Sequence, residues 1–239
     1  MSSNPYQPPQ SRDARVSRIL PRDLGPVTLW TTIVFSLQAV LLLSMGVAAL
    51  FMGQPSGGDA PSPSPEETLS APEVFYALSG LGWTILMIPG MVLFFVWIRR
   101  ANINADALVR SRMEFTPGWA VGWFFVPFAN LFKPYQVMAE IYRASDPKAD
   151  PDYWSLAGVP HYLMLWWLSY LGFNTLFQVS KEVQLGGWPA VLGCVLGVTA
   201  AVMVVVVTRS IHRHQEEKAG ELVSGRPAGS APFSLIGFH

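Results

Sequence analysis

Five polar side chains in and near one central stretch of the chain could together bind a small polar ligand. They are Asn102, Asn130, Gln136, Glu140 and Arg143. Amide, carboxylate and guanidinium groups that meet in a cleft can hold a lipid headgroup or a small solute, so this set is the candidate polar pocket. In the alternative interpretation, which the sequence favours, these groups satisfy a broken stretch of backbone, and Glu140 pairs with Arg143 at i,i+3.

Polar side chains also occur inside long apolar runs, at Gln38, Asn174 and Gln178. The last two are spaced i,i+4 and therefore share one face of a helix. These three intramembrane polar residues could line a polar pathway. Because no ionisable group accompanies them, hydrogen bonding between helices is the expected role.

A stripe of small residues, Gly193, Gly197 and Ala201, recurs at every fourth position of the last apolar run. Small side chains let two helices approach closely. We expect this stripe to pack against other helices of the same chain, and a seam between two copies is the alternative.

The remaining reactive residue types do not form a recognisable site. Cys194 is the single cysteine, so neither an intrachain disulfide nor a cysteine-based zinc site can form, and a buried structural thiol is expected. His212 and His214 alone do not make up a metal-ligand set. No nucleotide-binding, hydrolase or metalloprotease motif occurs. We therefore expect no metal, no cofactor and no catalytic residue.

Composition points to a membrane as the surroundings of the chain. Hydrophobic residues make up 51% of the 239 residues and charged residues only 13%, against about 25% charged in an ordinary soluble domain. The formal net charge is zero, which provides no overall field to attract nucleic acid. The lipid bilayer is the expected partner, and nucleic acid is not.

Four runs without charge are long enough to cross a bilayer, which takes about 20 helical residues. They predict an all-α helical bundle with spans at 27–52, 74–98, 161–180 and 187–208. The first run is longer than the apolar core of a signal peptide. Residues 53–73 predict a loop on the outer side, and residues 1–26 and 209–239 predict cytoplasmic tails that are mostly disordered and could bind protein partners.

The stretch 118–144 begins as though it would cross the membrane, but Pro127 and Pro134 interrupt it. Its uncharged part is too short to span once Pro127 breaks it, so we expect a re-entrant or interfacial segment, and a fifth span is the alternative. Beyond Pro134 the pattern predicts an amphipathic helix that ends before Pro147. Its polar face should meet water or headgroups, and consists of Lys133, Gln136, Glu140 and Arg143.

The distribution of positive charge decides between these topologies. With four spans, 15 of the 16 Lys and Arg lie on the side that holds both termini, and only Lys181 lies on the other. With five spans the positive charges divide almost evenly. The positive-inside rule therefore predicts four spans, with both termini in the cytoplasm and the protein in the cell (inner or cytoplasmic) membrane.

Several of these features resemble a bacterial membrane family, the domain of unknown function 4328. They are Trp97 with Arg99, Arg100 and Asn102, the motif "PGWAVGWFFVPFANLFKPYQVMAEIYRAS" at 117–145, and Trp166 with Trp167. The resemblance covers residues 75–209. It implies a multi-pass membrane domain, and it implies no reaction.

Three classes of function are compatible with this pattern. The first is a non-enzymatic membrane anchor or interaction protein, which the sequence favours. The second is a component that binds or transports a small solute or a lipid headgroup through a pocket on the cytoplasmic face. The third, a membrane enzyme, is disfavoured because the predicted spans contain no nucleophile–base pair or pair of carboxylates. The sequence leaves open a homo-oligomer.

Overall fold

The structure is a computed structural model that describes residues 20, 22–52, 70–150, 152–182 and 188–224. Within these ranges the chain is helical and contains no strand, which confirms the all-α prediction. The helices are α1 (Gly25–Met52), α2 (Ala71–Ala107), α3 (Trp119–Gly122), α4 (Lys133–Ser145), α5 (His161–Glu182) and α6 (Trp188–Ser224). Single 3₁₀ turns occur at Ala129–Leu131 and Trp154–Leu156.

Three of these helices, α1, α2 and α6, are long and apolar enough to cross a membrane. They contain the predicted spans 27–52 and 74–98, and the described residues 188–208 of the last predicted span. Helix α5 matches the remaining predicted span, 161–180, but it does not meet the same criterion. Its tryptophan, tyrosine, histidine and amide residues lower its mean hydropathy.

Helix α2 begins three residues earlier than the apolar pattern indicated. The backbone N–H and the hydroxyl of Ser70 both donate to Glu73 Oε2, at 2.7 and 2.8 Å. Ser followed three residues later by Glu is a sequence signature of a helix N-terminus, and here the Glu73 carboxylate satisfies the backbone N–H of Ser70. Residues 71–73, expected in the outer loop, are therefore the first turn of α2.

Helices α2 and α6 also continue well past the ends of their apolar runs. Helix α2 reaches Ala107, and α6 reaches Ser224. Residues 209–224, expected to belong to a mostly disordered tail, are helical instead. Residues 1–19 of the expected N-terminal tail, residues 53–69 of the expected outer loop, residues 183–187 and residues 225–239 lie outside the described part of the chain.

The chain divides into two compact units, with boundaries within the first turn of α1, within α2, just before α5 and within α6. The apolar unit comprises Val27–Val96 and Pro160–Thr208. Its core contains aromatic side chains in edge-to-face contact, such as Phe94 against Trp166 at 5.9 Å between ring centroids. Such pairs add about 0.5–1.5 kcal/mol beyond the area that they bury.

The polar unit comprises Met1–Pro26, Trp97–Val159 and Arg209–His239. Its core is formed by one face of α4, including Val137, Met138 and Ile141, together with buried residues such as Trp97 and Ile211. Each of these five side chains is inaccessible to solvent. This packing positions the candidate polar side chains described below.

The central stretch of the polar unit is an irregular chain between two short helices. Helix α3 is a single turn, and the chain then makes a γ-turn in which the N–H of Ala129 donates to the carbonyl of Pro127 at 2.7 Å. Phe128, at the centre of this turn, has φ 63° and ψ −43°, a rare and strained conformation for a residue with a side chain. The break expected at 127–134 and the helix expected after Pro134 are both observed, and α4 ends at Ser145.

Candidate functional site

Two members of the candidate polar pocket, Asn102 and Glu140, bind the same short segment of backbone. The two carboxylate oxygens of Glu140 accept hydrogen bonds from the consecutive N–H groups of Glu114 and Phe115, the second at 3.2 Å. Asn102 Nδ2 donates to the carbonyl of Phe115 at 3.1 Å. Both side chains are buried, at 8% exposed for Glu140 and 1% for Asn102. Together they attach α2 and α4 to the connection between α2 and α3.

Burial raises the pKa of Glu140 above its ordinary value. The two backbone N–H donors lower the pKa in part, and the nearby carboxylates of Glu114 and Asp106 raise it further. The balance is a raised pKa, because loss of hydration disfavours the charged form more than two hydrogen bonds favour it. Glu140 is therefore a buried acid whose charge is stabilised by two backbone N–H groups of its own chain.

The other three members of the set do not join this cluster. Arg143 Nε donates to the carbonyl of Ala157 at 3.1 Å, and the ion pair expected between Glu140 and Arg143 is not formed. Gln136 is exposed, while Asn130 is half-buried and its side chain makes no hydrogen bond within the described residues. The expectation that Glu140 would face water or headgroups is wrong, because it lies on the packed face of α4.

The C-terminal end of α4 is held by two buried side chains from α6 that sequence analysis did not single out. Lys218 Nζ donates to the carbonyl of Ala144 at 2.9 Å. Gln215 Nε2 donates to the carbonyl of Ala101 at 2.9 Å and to Ser145 Oγ at 3.0 Å. The last carbonyls of a helix lack N–H donors within the helix, and they favour a nearby positive charge. The ammonium group of Lys218 provides a donor and a positive charge.

A weak signal for these residues was present in the sequence. The buried positions Val204, Val207 and Ile211 recur at helical spacing, and the same spacing continues to Gln215 and Lys218. Since both of these are polar, a pattern based on apolar residues ends before them.

Asn104 has a similar structural role and was also missed. Its side-chain amide donates to the carbonyl of Arg22 at 2.7 Å and accepts from the N–H of Arg22 at 2.9 Å. Arg100 Nη1 donates to the neighbouring carbonyl of Asp23 at 3.0 Å. The chain that leads into α1 is thus hydrogen bonded to the last part of α2.

Lys133 lies among aromatic rings at the start of α4. Its Nζ is 5.0 Å from the ring centroid of Phe115 and 5.6 Å from that of Trp123, distances at which a cation is attracted to an aromatic face. Glu114 Oε1 is 3.6 Å from the same nitrogen. The positive charge of Lys133 is therefore already compensated within the polar unit.

In the apolar unit, the three predicted intramembrane polar residues have separate environments. Gln38 is buried, and its Nε2 donates to the carbonyl of Leu86 at 2.8 Å, three residues before Pro89. Proline disturbs the backbone hydrogen bonds of the preceding helical turn, so Gln38 satisfies a carbonyl near that disturbance. Asn174 binds the carbonyl of Tyr170 in its own helix, and Gln178 is exposed. Of the three, only Gln38 joins two helices.

The three residues of the small-residue stripe on α6 also differ in their surroundings. A Cβ at Gly197 would lie 2.9 Å from Leu42 Cδ1 and 3.0 Å from Phe173 Cδ2, so this glycine permits close packing within the chain. Ala201 is buried. A Cβ at Gly193, by contrast, would meet no atom within 4 Å, and Gly193 borders open space instead of a neighbouring helix.

The histidines of α6 show no arrangement suited to a metal. His212 Nε2 is 3.7 Å from Glu216 Oε1, and the ring of His214 contacts Tyr142 at 5.2 Å between centroids. Across the described ranges of the chain, no group of three or more His, Cys, Asp or Glu side chains is placed to hold a metal ion.

The central motif at 117–145 lies within a region that matches a known family. The model of the family described as Domain of unknown function (DUF4328) matches residues 62–213, more than half of the chain. The chain belongs to this family. The region of the DUF4328 match contains the whole of the resemblance at 75–209 and confirms it. Helix α1 lies before the match, and Gln215 and Lys218 lie just beyond it.

No curated protein and no solved structure matches the chain. The family assignment therefore rests on the DUF4328 match, and the function has to be argued from the geometry described above.

Proposed function

We propose that this DUF4328 chain is a multi-pass protein of the cell membrane with four spans, α1, α2, α5 and α6. Helices α1, α2 and α6 support this by their length and composition. Helix α5 supports it by its 22 residues, which correspond to about 33 Å of helix. Within the apolar unit, α5 also packs closely on α6, because a Cβ at Gly172 would lie 2.9 Å from Leu196 Cδ1.

The stretch 118–144 is proposed to be an interfacial or re-entrant segment and not a fifth span. Support comes from its irregular backbone and from its large exposed apolar side chains. Phe128, on the strained γ-turn, is 83% exposed. Trp119, Phe125, Leu131 and Phe132 are also exposed. Exposed aromatic groups on a short irregular segment suit the headgroup region, where an apolar body and a polar backbone are both accommodated.

Both termini are proposed to be cytoplasmic. The support is the charge distribution, which leaves only Lys181 outside. Reporter enzymes that are active on one side of the membrane, fused after residue 224 or inserted within 53–69, test this topology. Activity on the cytoplasmic side for the first fusion and on the outer side for the second is expected. The opposite result for the first fusion would contradict the four-span arrangement.

The proposed role is a non-enzymatic anchor or interaction protein whose polar unit contacts other proteins. One observation carries this proposal: the charged groups expected to form a ligand pocket are hydrogen bonded to the protein's own backbone. Glu140 binds the N–H groups of Glu114 and Phe115, and Arg143 binds the carbonyl of Ala157. A ligand that needed these groups would first have to break those bonds, at a cost of about 1–3 kcal/mol for each buried group left unpaired.

The experiment is photo-crosslinking in native membranes. A photoreactive amino acid placed at the exposed positions Gln136, Tyr153 or Leu156 should give discrete protein adducts. The same amino acid at the buried position Ile141 is the control and should give none. Lipid adducts alone, together with thermal stabilisation by glycerol phosphate or another soluble headgroup, would instead support the headgroup-binding alternative.

A further inference from the structure

A partly open cavity of about 230 Å³ lies within the apolar unit. All four long helices of that unit contribute to its wall. The lining residues that matter here are Met45, Tyr76, Trp83, Phe173, Gly193 and Cys194. The size of the cavity exceeds what a single water molecule needs, which is roughly 10–15 Å³.

The wall of this cavity is mostly apolar, and four of its eleven lining residues are aromatic. The ring of Trp83 contacts Phe173 at 5.7 Å and Phe177 at 6.2 Å between centroids. The polar side-chain groups along the wall are the hydroxyl of Tyr76, the indole N–H of Trp83 and the thiol of Cys194. A buried water needs two to four polar partners, so most of this volume is better filled by a hydrocarbon group.

Part of the cavity lies beside Gly193, where a side chain would otherwise extend. A Cβ at Gly193 would meet nothing within 4 Å, whereas a Cβ at Gly197, one helical turn further along α6, would collide with Leu42 and Phe173. The difference between the two glycines shows that helix packing needs Gly197. It does not need Gly193.

We infer that this cavity binds part of the hydrocarbon chain of a membrane lipid. Three of the four contributing helices qualify as membrane spans, so hydrocarbon chains are the surrounding medium at these segments. Tyr76 and Trp83 lie in the first half of α2, and Gly193 and Cys194 lie near the start of α6. If the proposed topology holds, these ends face outwards, and the chain comes from a lipid of the outer leaflet.

The volume suits a segment of a chain and not a whole lipid, since pockets for complete drug-sized ligands measure about 300–1,000 Å³. The remainder of the lipid would stay in the bilayer. The inferred interaction therefore fixes one chain of a neighbouring lipid against the aromatic wall of Trp83 and Phe173.

The test uses the full-length protein in nanodiscs that contain phosphatidylcholine with a photoreactive group in one fatty chain. Crosslinked peptides identified by mass spectrometry should include those that contain Trp83, Phe173 and Cys194. Gly193→Leu, which fills the open space, should lower crosslinking at these sites at least fivefold. Val195→Leu is the matched control, because Val195 is exposed on the same helix, and crosslinking should be unchanged. Equal yields at the cavity in both variants would overturn the inference.

A second measurement uses the wild-type protein and does not depend on whether the Gly193→Leu variant folds. Cys194 is the protein's single cysteine and lines the cavity. In lipid-free amphipol, alkylation of the wild-type thiol by N-ethylmaleimide should slow severalfold when dodecanol is added. An unchanged rate would contradict binding of a hydrocarbon chain at this place.

The outcomes separate this inference from the proposed membrane topology. Lipid crosslinks at exposed positions such as Leu43 and Leu81, without crosslinks at the cavity, would leave the spans supported and refute the binding site. A complete lack of lipid crosslinks would count against both. An inverted topology would show in the reporter fusions and would leave the crosslinks at the cavity in place.

Discussion

The carboxylate of Glu140 accepts hydrogen bonds from two consecutive backbone N–H groups, those of Glu114 and Phe115. Shortening the Glu140 side chain to the methyl group of alanine would leave both N–H groups without an acceptor. Orphaned buried donors cost about 1–3 kcal/mol each, so Glu140→Ala should lower the free energy of unfolding by roughly 2–4 kcal/mol. Thermal unfolding followed by tryptophan fluorescence measures this change. Gln136→Ala, on the exposed side of the same helix, should unfold like the wild type.

The raised pKa of Glu140 also predicts a pH dependence. Between the ordinary value of 4.5 and the raised value, the folded state binds more protons at this site than the unfolded state does. The stabilising contribution of Glu140 is therefore complete below pH 4.5 and is lost as the pH rises through the raised pKa.

Comparing the wild type with Glu140→Gln isolates this effect, because the amide does not titrate. The wild type should lose stability relative to the variant as the pH rises from 4 to 7. A difference in stability that stays constant over this range would show that Glu140 does not titrate with a raised pKa.

At the scale of single helices, α6 packs closely at Gly197 but not at Gly193. Gly197→Ala should destabilise the protein by about 1–3 kcal/mol, because the added methyl group overlaps Leu42 and the ring of Phe173. Gly193→Ala adds the same methyl group in open space and should be nearly neutral. Melting temperatures of the two variants in detergent provide the comparison, and equal losses would refute this account of the packing.

The contact between α6 and α4 predicts a second effect. Lys218→Met keeps the length of the side chain but removes the charged donor to the carbonyl of Ala144. We expect a loss of roughly 1–3 kcal/mol and faster proteolytic cleavage within 133–150. Glu217→Ala changes an exposed neighbour on the same helix and serves as the control. If the Lys218→Met variant resisted proteolysis as well as the wild type does, α4 would not depend on this hydrogen bond.

The long uncharged runs were sufficient to locate the apolar parts of α1, α2, α5 and α6. Pro127, Pro134 and Pro147 located the break and both ends of α4, since proline removes a donor and restricts the preceding residue. The pattern did not predict that α6 would reach Ser224. There the buried face includes Gln215 and Lys218, and polar residues are buried only when specific partners exist in three dimensions.

The candidate site was only partly predictable for the same reason. Asn102 and Glu140 were correctly grouped, but their shared partner is the backbone at 114–115, whose position no side-chain pattern reveals. The i,i+3 spacing of Glu140 and Arg143 suggested a pair, and tertiary partners replaced it. The sequence pattern predicts the same packing role for Gly193 and Gly197, and only the packing of the apolar unit distinguishes them.

For the whole molecule, the proposed topology makes a prediction about access from each side of the membrane. In a Cys194→Ser background, single cysteines at the exposed positions Gln136 and Lys148 should react with an impermeant thiol reagent only from the cytoplasmic side. A cysteine at Ile141, which is buried, should react from neither side until the protein is denatured. Labelling of either exposed position from outside would make 118–144 a fifth span.

The hydrogen bond from Lys218 to Ala144 joins residues that are 74 positions apart in the chain. A ribosome that adds about 5–20 residues per second needs roughly 4–15 s to cover that distance. Throughout this interval the end of α4 has been synthesised while its donor has not. The polar unit therefore closes only after the residues of α6 emerge, and products of interrupted translation would expose an α4 that lacks this hydrogen bond to cellular proteases.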